Sequence, residues 1–426
     1  MNAPAPVTWP RMWHTFGRIG LLSFGGPAAQ IALMHRVLVD EEQWLEEEDY
    51  LRALSFCMLL PGPEAMQLAT YAGWRLRGVA GGLLAGLLFV LPGAAVILAL
   101  AAAYVTWGHL PAVQAMFVGV KACVAVIVVE ALLRVGRRAL KGAAHRWIAI
   151  LAFVAIFFLG LPFPLVILAA AAAGALLLPV TPPPGPAPPD SAGHGHLPST
   201  LAVGIGLWVA PLAWLWWAGH DFLLTLGLFF SKLAMVTFGG AYAVLTYMTQ
   251  AVVQDLGWLR TGQMIDALGL AETTPGPLIL VTEFVAFVAG HQAGGGGLAL
   301  MAALLTLWVT FVPCFLWIFA FAPYIDRIGR RPRLQAALAG ITAAVVGVIG
   351  SLSVWFTLNV LFARVGEGRI GPATAPLPDP SSLDPVSLAL MVAAGYLLLW
   401  RHWSLGAVLG LSTLLGLATL MLPGAG

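Results

Sequence analysis

The stretch "LLPGPEA" at residues 59–65 places two prolines, a glycine and a glutamate inside a segment that is otherwise apolar enough for a membrane helix. A proline removes a backbone donor and frees a carbonyl group. Within a bilayer, such loosened backbone is tolerated only where it faces protein or a water-filled cavity. The stretch "TTPGPLI" at 273–279 repeats the pattern in an equally apolar setting. The two matched stretches therefore predict discontinuous membrane helices and a site where these helices meet.

The composition indicates the environment of the chain. Of its 426 residues, 60% are hydrophobic and 9% are charged, and the mean hydropathy is +0.90. A soluble domain has about 25% charged residues, so we expect a membrane protein. The net charge of +2 indicates no nucleic-acid partner. Three cysteines fall singly in apolar segments, without the spacing of metal ligands, and we expect no metal and no cofactor. These cysteines are Cys57, Cys123 and Cys314.

The apolar segments predict an all-α polytopic membrane protein with about thirteen helices. We place the helices at about 12–35, 52–72, 80–103, 112–133, 147–160, 163–179, 201–219, 222–248, 264–288, 298–322, 334–356, 385–400 and 404–422. The pairs near 147–179 and 385–422 are short, so each is either two spans or a re-entrant hairpin. The segment 181–200 is rich in proline and glycine, which predicts a linker.

An internal duplication relates the two halves of the chain. At one constant offset, "FGRIGLLSFGGPA" (16–28) falls on "FSKLAMVTFGGAY" (230–242), and the motif at 61–63 falls on the motif at 275–277. A duplication on this scale predicts two structural repeats. We therefore predict a first repeat in 1–179 and a second in 222–426, joined by a linker and one connecting transmembrane helix in 180–221.

The basic connections predict opposite orientations for the two repeats. In the first half, "RVGRRALKGAAHR" (134–146) is strongly basic and "TWGHLP" carries no lysine or arginine. In the second half, the segment equivalent to "TWGHLP" is the basic "DRIGRRPR" (326–333). Lysine and arginine accumulate on the cytoplasmic side of membrane proteins. Equivalent helices are therefore expected to cross in opposite directions, with the N-terminus in the cytoplasm. Inverted repeats with broken helices are typical of secondary transporters.

The broken segments predict an anion-binding site. After each break a half-helix begins, and its free N–H groups and positive dipole end favour an anion. "SFGGPA" and "TFGGAY" form a second matched pair of weak points. The alternative is that proline and glycine only kink these helices. The candidate substrate-binding residues at the breaks are Ser23, Phe24, Gly25, Gly26, Pro61, Gly62, Pro63, Thr237, Phe238, Gly239, Gly240, Pro275, Gly276 and Pro277.

Ionisable residues inside the predicted helices restrict the chemical class of the ligand. Arg18 and Lys232 occupy equivalent positions, and Lys121 lies in the middle of the helix predicted at 112–133. Buried ionisable groups are costly and indicate function, although such cations can also snorkel to the interface. An arginine suits an anion with several oxygens because its guanidinium donates in a planar fork. Glu64 and Glu272 flank the PGP motifs, and they either relay protons or pair with the cations.

The motifs together resemble the chromate transporter family in its long, two-domain form. The segments that carry the resemblance are "SFGGP", "TFGG", "DEEQWL", "QDLGWL", "LPGPEAMQLATYAGWRLRG" (60–78) and "AETTPGPLILVTEFVAF" (271–287). The resemblance implies a multi-pass carrier in the bacterial inner membrane that exports chromate, is driven by the proton motive force and gives chromate resistance. Its implied partners are chromate or a similar oxyanion, protons and membrane lipid, and a homodimer is one candidate for the oligomeric state.

The sequence leaves two alternative functions open and argues against a third. Sulfate has nearly the size, shape and charge of chromate, so a sulfate or other oxyanion transporter is the first alternative. A passive anion channel is the second, since broken helices also build selectivity filters. An enzyme is not expected, because the histidines are scattered and the sequence has no HExxH or GxSxG motif.

Overall fold

The computed structural model describes residues 7–179, 197–238, 241–325, 331–371 and 373–421. In the predicted first repeat the helices are α1 (Trp9–Leu22), α2 (Gly26–His35), α3 (Glu47–Cys57), α4 (Glu64–Trp107), α5 (Pro111–Ala139), α6 (Ala143–Phe157) and α7 (Phe163–Leu177). The connecting helix is α8 (Leu197–Ala218). In the predicted second repeat they are α9 (Asp221–Val236), α10 (Ala241–Gln250), α11 (Thr261–Thr273), α12 (Val281–Phe321), α13 (Pro332–Leu361), α14 (Pro385–Gly395) and α15 (Leu405–Ala418).

Short helical turns extend several of these elements. The π-helical turns Arg36–Glu41, Ala251–Asp255 and Tyr396–Trp400 follow α2, α10 and α14. The 3₁₀ turns are Leu278–Leu280, Ala322–Tyr324, Pro380–Ser382 and Thr419–Met421. The first two π-helical turns follow equivalent helices of the two halves, so the duplication extends to this irregular feature.

The prediction of an all-α polytopic membrane protein is confirmed. Five helical segments in the described parts of the chain are long and apolar enough to span a membrane. These segments are Glu64–Trp107, Pro111–Ala139, Leu197–Ala218, Leu278–Tyr324 and Pro332–Leu361. Helix α8 begins inside the segment predicted as a linker, and the rest of that linker, 181–196, lies outside the described residues.

Two of the long helices fold back on themselves at glycines. Helix α4 leaves helical geometry at Arg77 and Gly78, where Gly78 has φ 61°, and α12 does so at Gly294 and Gly295, where Gly295 has φ 78°. These left-handed values favour glycine. Each helix therefore has two arms. The arms of α12 pack closely at Gly290 and Ala299, because a Cβ added to Gly290 would lie 2.8 Å from Cα of Ala299.

A small β-hairpin interrupts the helices, and the sequence analysis did not predict it. Strand β1 (Val365–Ile370) pairs antiparallel with β2 (Ala373–Pro378). Residue Thr374 donates its N–H to the carbonyl oxygen of Phe158 at 2.7 Å, which fixes the hairpin against the end of α6. A search for apolar helical runs misses such strands, because a hairpin beside a helix end needs little hydrophobic sequence.

The chain forms two compact units, each built from both predicted repeats. The first unit comprises Met1–Ala101, Pro182–Ala241 and Thr274–Pro332. The second unit comprises Ala102–Thr181, Tyr242–Thr273 and Arg333–Gly426. This division follows contacts rather than sequence similarity, so the repeat boundaries at 1–179, 180–221 and 222–426 stay a prediction.

Candidate functional site

Four breaks between helices lie in the first unit. The first FGG break (23–25) separates α1 from α2, and the first PGP loop (58–63) separates α3 from α4. The second FGG break follows α9 and is described at residues 237–238, and the second PGP loop (274–277) precedes the turn that leads into α12. The breaks fall at the places that the sequence predicted as weak points. Residues Gly239 and Gly240 of the predicted site lie outside the described residues.

Two equivalent hydrogen bonds join these breaks across the repeats. Gly62 donates its N–H to the carbonyl oxygen of Thr237 at 2.8 Å. Gly276 donates its N–H to the carbonyl oxygen of Ser23 at 2.9 Å. The same constant offset that defines the duplication relates Gly62 to Gly276 and Ser23 to Thr237. Each PGP loop is thus bonded to the FGG break of the other predicted repeat. We call the four breaks together the PGP junction.

The hydroxyl groups at the FGG breaks are also equivalent. The Ser23 hydroxyl donates to the carbonyl oxygen of Ile19 at 2.6 Å, and the Thr237 hydroxyl donates to that of Leu233 at 2.7 Å. Both side chains are buried. Because these bonds satisfy carbonyls near the ends of α1 and α9, the breaks are stable without a continuing helix.

The glycines of the PGP loops are required by backbone shape and by close packing. Gly62 has φ 125° and Gly276 has φ 86°, both in the left-handed region. A Cβ on Gly62 would lie 2.7 Å from Sγ of Cys314. A Cβ on Gly93, in the second arm of α4, would lie 2.2 Å from the carbonyl oxygen of Pro275. The junction therefore has no room for side chains at these positions.

Two buried glutamines at the junction were missed by the sequence analysis. Gln30 donates through Nε2 to the carbonyl oxygens of Gly276, at 2.6 Å, and Ser23, at 3.2 Å. Gln67 donates through Nε2 to the carbonyl oxygen of Pro61 at 2.8 Å. Among the described residues, neither Gln30 Oε1 nor Gln67 Oε1 has a hydrogen-bond partner. The signal in the sequence is an amide side chain inside an apolar helix, which is weaker than that of a charged residue because an amide costs less to bury.

The predicted cations of the first unit lie one helical turn before the FGG breaks. The Arg18 side chain is 46% exposed, and its Nη1 lies 3.1 Å from Oε2 of Glu41. Lys232 holds the equivalent position on α9 and is also exposed. An anion that binds Arg18 must therefore compete with the Glu41 carboxylate. Of the two aromatic candidates, Phe24 is exposed and Phe238 is half-buried.

The other predicted cation, Lys121, lies in the second unit and is paired. Its Nζ lies 2.9 Å from Oδ1 of Asp266, and Oδ2 of Asp266 accepts a hydrogen bond from the Tyr104 hydroxyl at 2.7 Å. The charge of Lys121 is therefore compensated by a carboxylate that the sequence analysis did not single out. The signal was an aspartate inside the helix predicted at 264–288.

The acids near the PGP loops differ in their surroundings. Glu64 is the first residue of α4, and Glu283 is in the first turn of α12, so both lie where a helix dipole favours negative charge. Glu272 belongs to the second unit, where it is buried and hydrogen-bonded to the Tyr242 hydroxyl. Both half-helices that begin at or just after the PGP loops therefore already carry a carboxyl group in their first turn.

Comparison with known proteins gives the class of this chain. The chromate transporter family matches residues 10–175 and 224–417, which together make up most of its length. The chain belongs to the chromate transporter family. This finding confirms the resemblance in the sequence, and it covers both halves in which the PGP motif occurs.

Named relatives agree with the family assignment. The chain is 33% identical over 357 residues to the chromate transport protein of Pseudomonas aeruginosa, covering 82% of each. It is 30% identical over 334 residues to the chromate transport protein of Cupriavidus metallidurans, covering 78% of this chain and 79% of the relative. It is 21% identical over 352 residues to an uncharacterized transporter of Methanocaldococcus jannaschii, covering 82% of this chain and 84% of the relative. No solved structure matches. The protein is a multi-pass membrane transporter and not an enzyme, as the sequence predicted.

Proposed function

We propose that this protein is a secondary active transporter that exports chromate across the bacterial inner membrane, and that it thereby gives chromate resistance. The observation that carries the proposal is the pair of equivalent bonds that joins the PGP loops to the FGG breaks. Broken helices that meet between repeats are where secondary transporters bind their substrates. The names of the relatives supply the chemical identity of the anion.

The electrical part of the proton motive force is sufficient to drive this export. Moving one charge across the membrane is worth about 2.3 kcal/mol per 100 mV. The exit of a dianion from a cell with a negative interior therefore releases about 4.6 kcal/mol of free energy per 100 mV. This free energy supports a chromate concentration that is roughly a thousandfold higher outside than inside. The proposed direction is thus downhill, with the N-terminus in the cytoplasm.

The proposed binding site is the PGP junction. The half-helix α4 begins there, α12 begins just after the second PGP loop, and the buried hydroxyls of Ser23 and Thr237 line the same breaks. Arg18 and Lys232 supply positive charge, and Arg18 exchanges Glu41 for the anion as it does so. Because the bonds join one repeat to the other, a movement of either repeat would change the junction, as alternating access requires.

Transport by purified protein in liposomes tests this proposal. Labelled chromate is offered outside, and a potassium gradient with valinomycin makes the interior positive. We expect saturable uptake that accumulates chromate above its outside concentration, and this accumulation is lost when the potential is collapsed. We also expect faster uptake of the label when unlabelled chromate is present inside. A carrier shows this acceleration because its loaded form reorients, whereas an open channel does not.

Competition with sulfate completes the test. Uptake of sulfate without uptake of chromate would replace chromate with sulfate as the substrate. Uptake that neither saturates nor responds to internal chromate would make the protein a passive anion channel. Liposomes that contain the Gly62→Ala protein serve as the control for leakage, because that change is expected to disrupt the junction.

A further inference from the structure

A buried carboxyl group lies outside the set of acids that the sequence singled out for coupling. The side chain of Glu283 is 0% exposed, and neither of its oxygens has a hydrogen-bond partner among the described residues. The hydroxyls of Thr306 and Thr310 are also buried without a partner in the described parts of the chain. The indole N–H of Trp317 is buried without a partner there as well, so α12 carries four polar groups in this condition. Four such groups within one helix call for an explanation in terms of function.

The fold of α12 places Glu283 and the two threonines on the sides of its two arms that face each other. The two arms meet at Gly290 and Ala299. Glu283 lies seven residues before Gly290, and Thr306 lies seven residues after Ala299. Because seven residues make about two helical turns, Glu283 and Thr306 lie at the same level on facing sides of the antiparallel arms.

The polar face continues to the PGP junction. Thr306, Thr310 and Cys314 are spaced four residues apart, so they share one side of the second arm. The Sγ atom of Cys314 would lie 2.7 Å from a Cβ on Gly62, which places it against the first PGP loop. A line of polar side chains therefore leads from Glu283 to the junction, all of it within the first unit.

The surroundings of Glu283 favour a neutral carboxylic acid. An ionised carboxylate that is removed from water needs a partner, and otherwise it takes up a proton. No residue in the described parts of the chain forms an ion pair with Glu283. The titratable groups on α12 and on the helical elements packed against it lie on four elements. They are His291 and Cys314 on α12, Glu64, Tyr71, Arg75, Arg77 and Tyr104 on α4, Asp221 and Lys232 on α9, and Tyr324 on the 3₁₀ turn Ala322–Tyr324, while α8 has none.

We propose that Glu283 binds one proton together with the oxyanion, so that one proton accompanies each dianion across the membrane. This inference rests on the proposed function. A carboxylate and a dianion in one region of low dielectric repel each other, and a proton on Glu283 removes that repulsion. The proton comes from water on the side where the anion enters, and it returns to water on the opposite side when the junction opens there. The complex then carries a net charge of one instead of two, and a negative interior still drives it outward.

The pH dependence of the apparent KM tests the role of Glu283. Initial rates are measured in liposomes over a pH range in which chromate stays a dianion. For the wild type, we expect KM to rise about tenfold per pH unit once Glu283 is ionised in the empty carrier, because one proton binds with the anion. For the Glu283→Gln variant, which keeps the shape of the protonated acid, we expect KM to be independent of pH.

The same change at Glu130 is the matched control. This glutamate also lies in a membrane helix, but it is paired with Arg134. We expect the Glu130→Gln variant to keep the wild-type slope. A wild-type slope in the Glu283→Gln variant would overturn the proposal, and so would a stimulation by Na⁺ that this variant loses, because a metal cation would then occupy the carboxylate.

A measurement on the wild type alone keeps the proposal testable if the variant does not fold. The chromate gradient that just balances an imposed potassium diffusion potential gives the net charge moved per chromate. We expect one charge, and two charges would exclude a bound proton. Absence of any chromate transport by the wild type would instead overturn the proposed function, so the two failures are distinguishable.

Discussion

Gly62 donates its backbone N–H to the carbonyl oxygen of Thr237, a residue far away in the sequence, and the bond is 2.8 Å long. The two residues belong to different predicted repeats, and the duplication reproduces their bond in Gly276 and Ser23. A bond that is made twice in this way is a property of the duplicated fold, and it makes the PGP junction depend on both repeats at once.

The first prediction concerns the Gly62→Ala change. The left-handed φ of 125° strains any other residue, and the new Cβ would meet Sγ of Cys314 at 2.7 Å. A strained residue of this kind costs about 1–3 kcal/mol. We expect chromate transport to fall at least tenfold, with a lower apparent melting temperature in detergent. Initial rates per amount of membrane protein and a thermal melt measure the two effects.

A matched glycine supplies the control for this change. Gly206 in α8 has no positive φ, and a Cβ there would meet nothing within 4 Å. The Gly206→Ala variant should transport at close to the wild-type rate. Adding Cys314→Ala to Gly62→Ala should recover part of the loss, since the contact with Sγ is relieved while the strained φ and the contact with Nε2 of Gln67 at 2.9 Å remain. Full activity of Gly62→Ala alone would show that the junction tolerates a side chain.

The second prediction concerns Arg18 and Lys232. A hydrogen bond to a charged group is worth about 1.5–3 kcal/mol, or roughly 10- to 150-fold in affinity. The Arg18→Gln and Lys232→Gln changes should each raise the KM for chromate within this range, while the protein still accumulates in the membrane. The Arg18→Lys variant should lie between Arg18→Gln and the wild type, because the charge is kept and the planar fork is lost.

Two further variants separate anion binding from a general effect of surface charge. Arg11 lies on the same helix and pairs with Glu42 in an exposed position, so Arg11→Gln should leave KM unchanged. The Glu41→Gln change frees Arg18 from its competitor, and it should lower KM. If both Arg18→Gln and Lys232→Gln show wild-type kinetics, these cations only reach toward the membrane surface, and the site does not use them.

The sequence predicted the breaks because proline and glycine act locally. The motifs around Gly62 and Gly276 were visible without any knowledge of contacts, as were the apolar spans and the constant offset between the halves. Which break is bonded to which could not be predicted, because the offset relates equivalent residues and does not say which residues touch. Ser23 and Gly276 are not equivalent, and only the folded chain brings them together.

The other features that the sequence did not predict, the surroundings of Lys121, Glu283 and Gln30, have the same physical origin. The partner of Lys121 is Asp266, on a helix of the other predicted repeat, and no local pattern connects them. Glu283 was visible as an acid in an apolar helix, but its lack of a partner among the described residues depends on every neighbouring side chain in the fold. Gln30 carries no charge, so the cost of burying an ionisable group gives no signal for it in the sequence, although it bonds to both predicted repeats.

The third prediction concerns the orientation of the repeats, which the basic connections indicate. Val79 and Gly296 lie just after the equivalent glycine kinks of α4 and α12. A Cβ on Gly296 has open space, and Val79 is exposed. In intact cells, we expect an impermeant thiol reagent to label the Gly296→Cys variant and to label Val79→Cys only after permeabilisation. The native cysteines are buried and add little background. Labelling of both variants from the same side would contradict inverted repeats.

The last prediction concerns the ion pair of Lys121 and Asp266. Breaking a buried pair by removing one partner costs up to about 3–5 kcal/mol, because the other charge is left uncompensated. The cost here should fall toward the lower end, since 27% of the Lys121 side chain is exposed. We expect Lys121→Met and Asp266→Leu each to lower the apparent melting temperature clearly. The double variant should recover most of the loss, because it removes both charges and fills the space with apolar groups.

Transport by this double variant then decides the role of Lys121. We expect a rate within a few-fold of the wild type, since the pair is neutral in the structure and its replacement is neutral as well. The measurement is the initial rate of chromate uptake into liposomes, normalised to the amount of reconstituted protein. A double variant that is stable but does not transport chromate would place the anion at Lys121 in the second unit, and the PGP junction would then have a structural role.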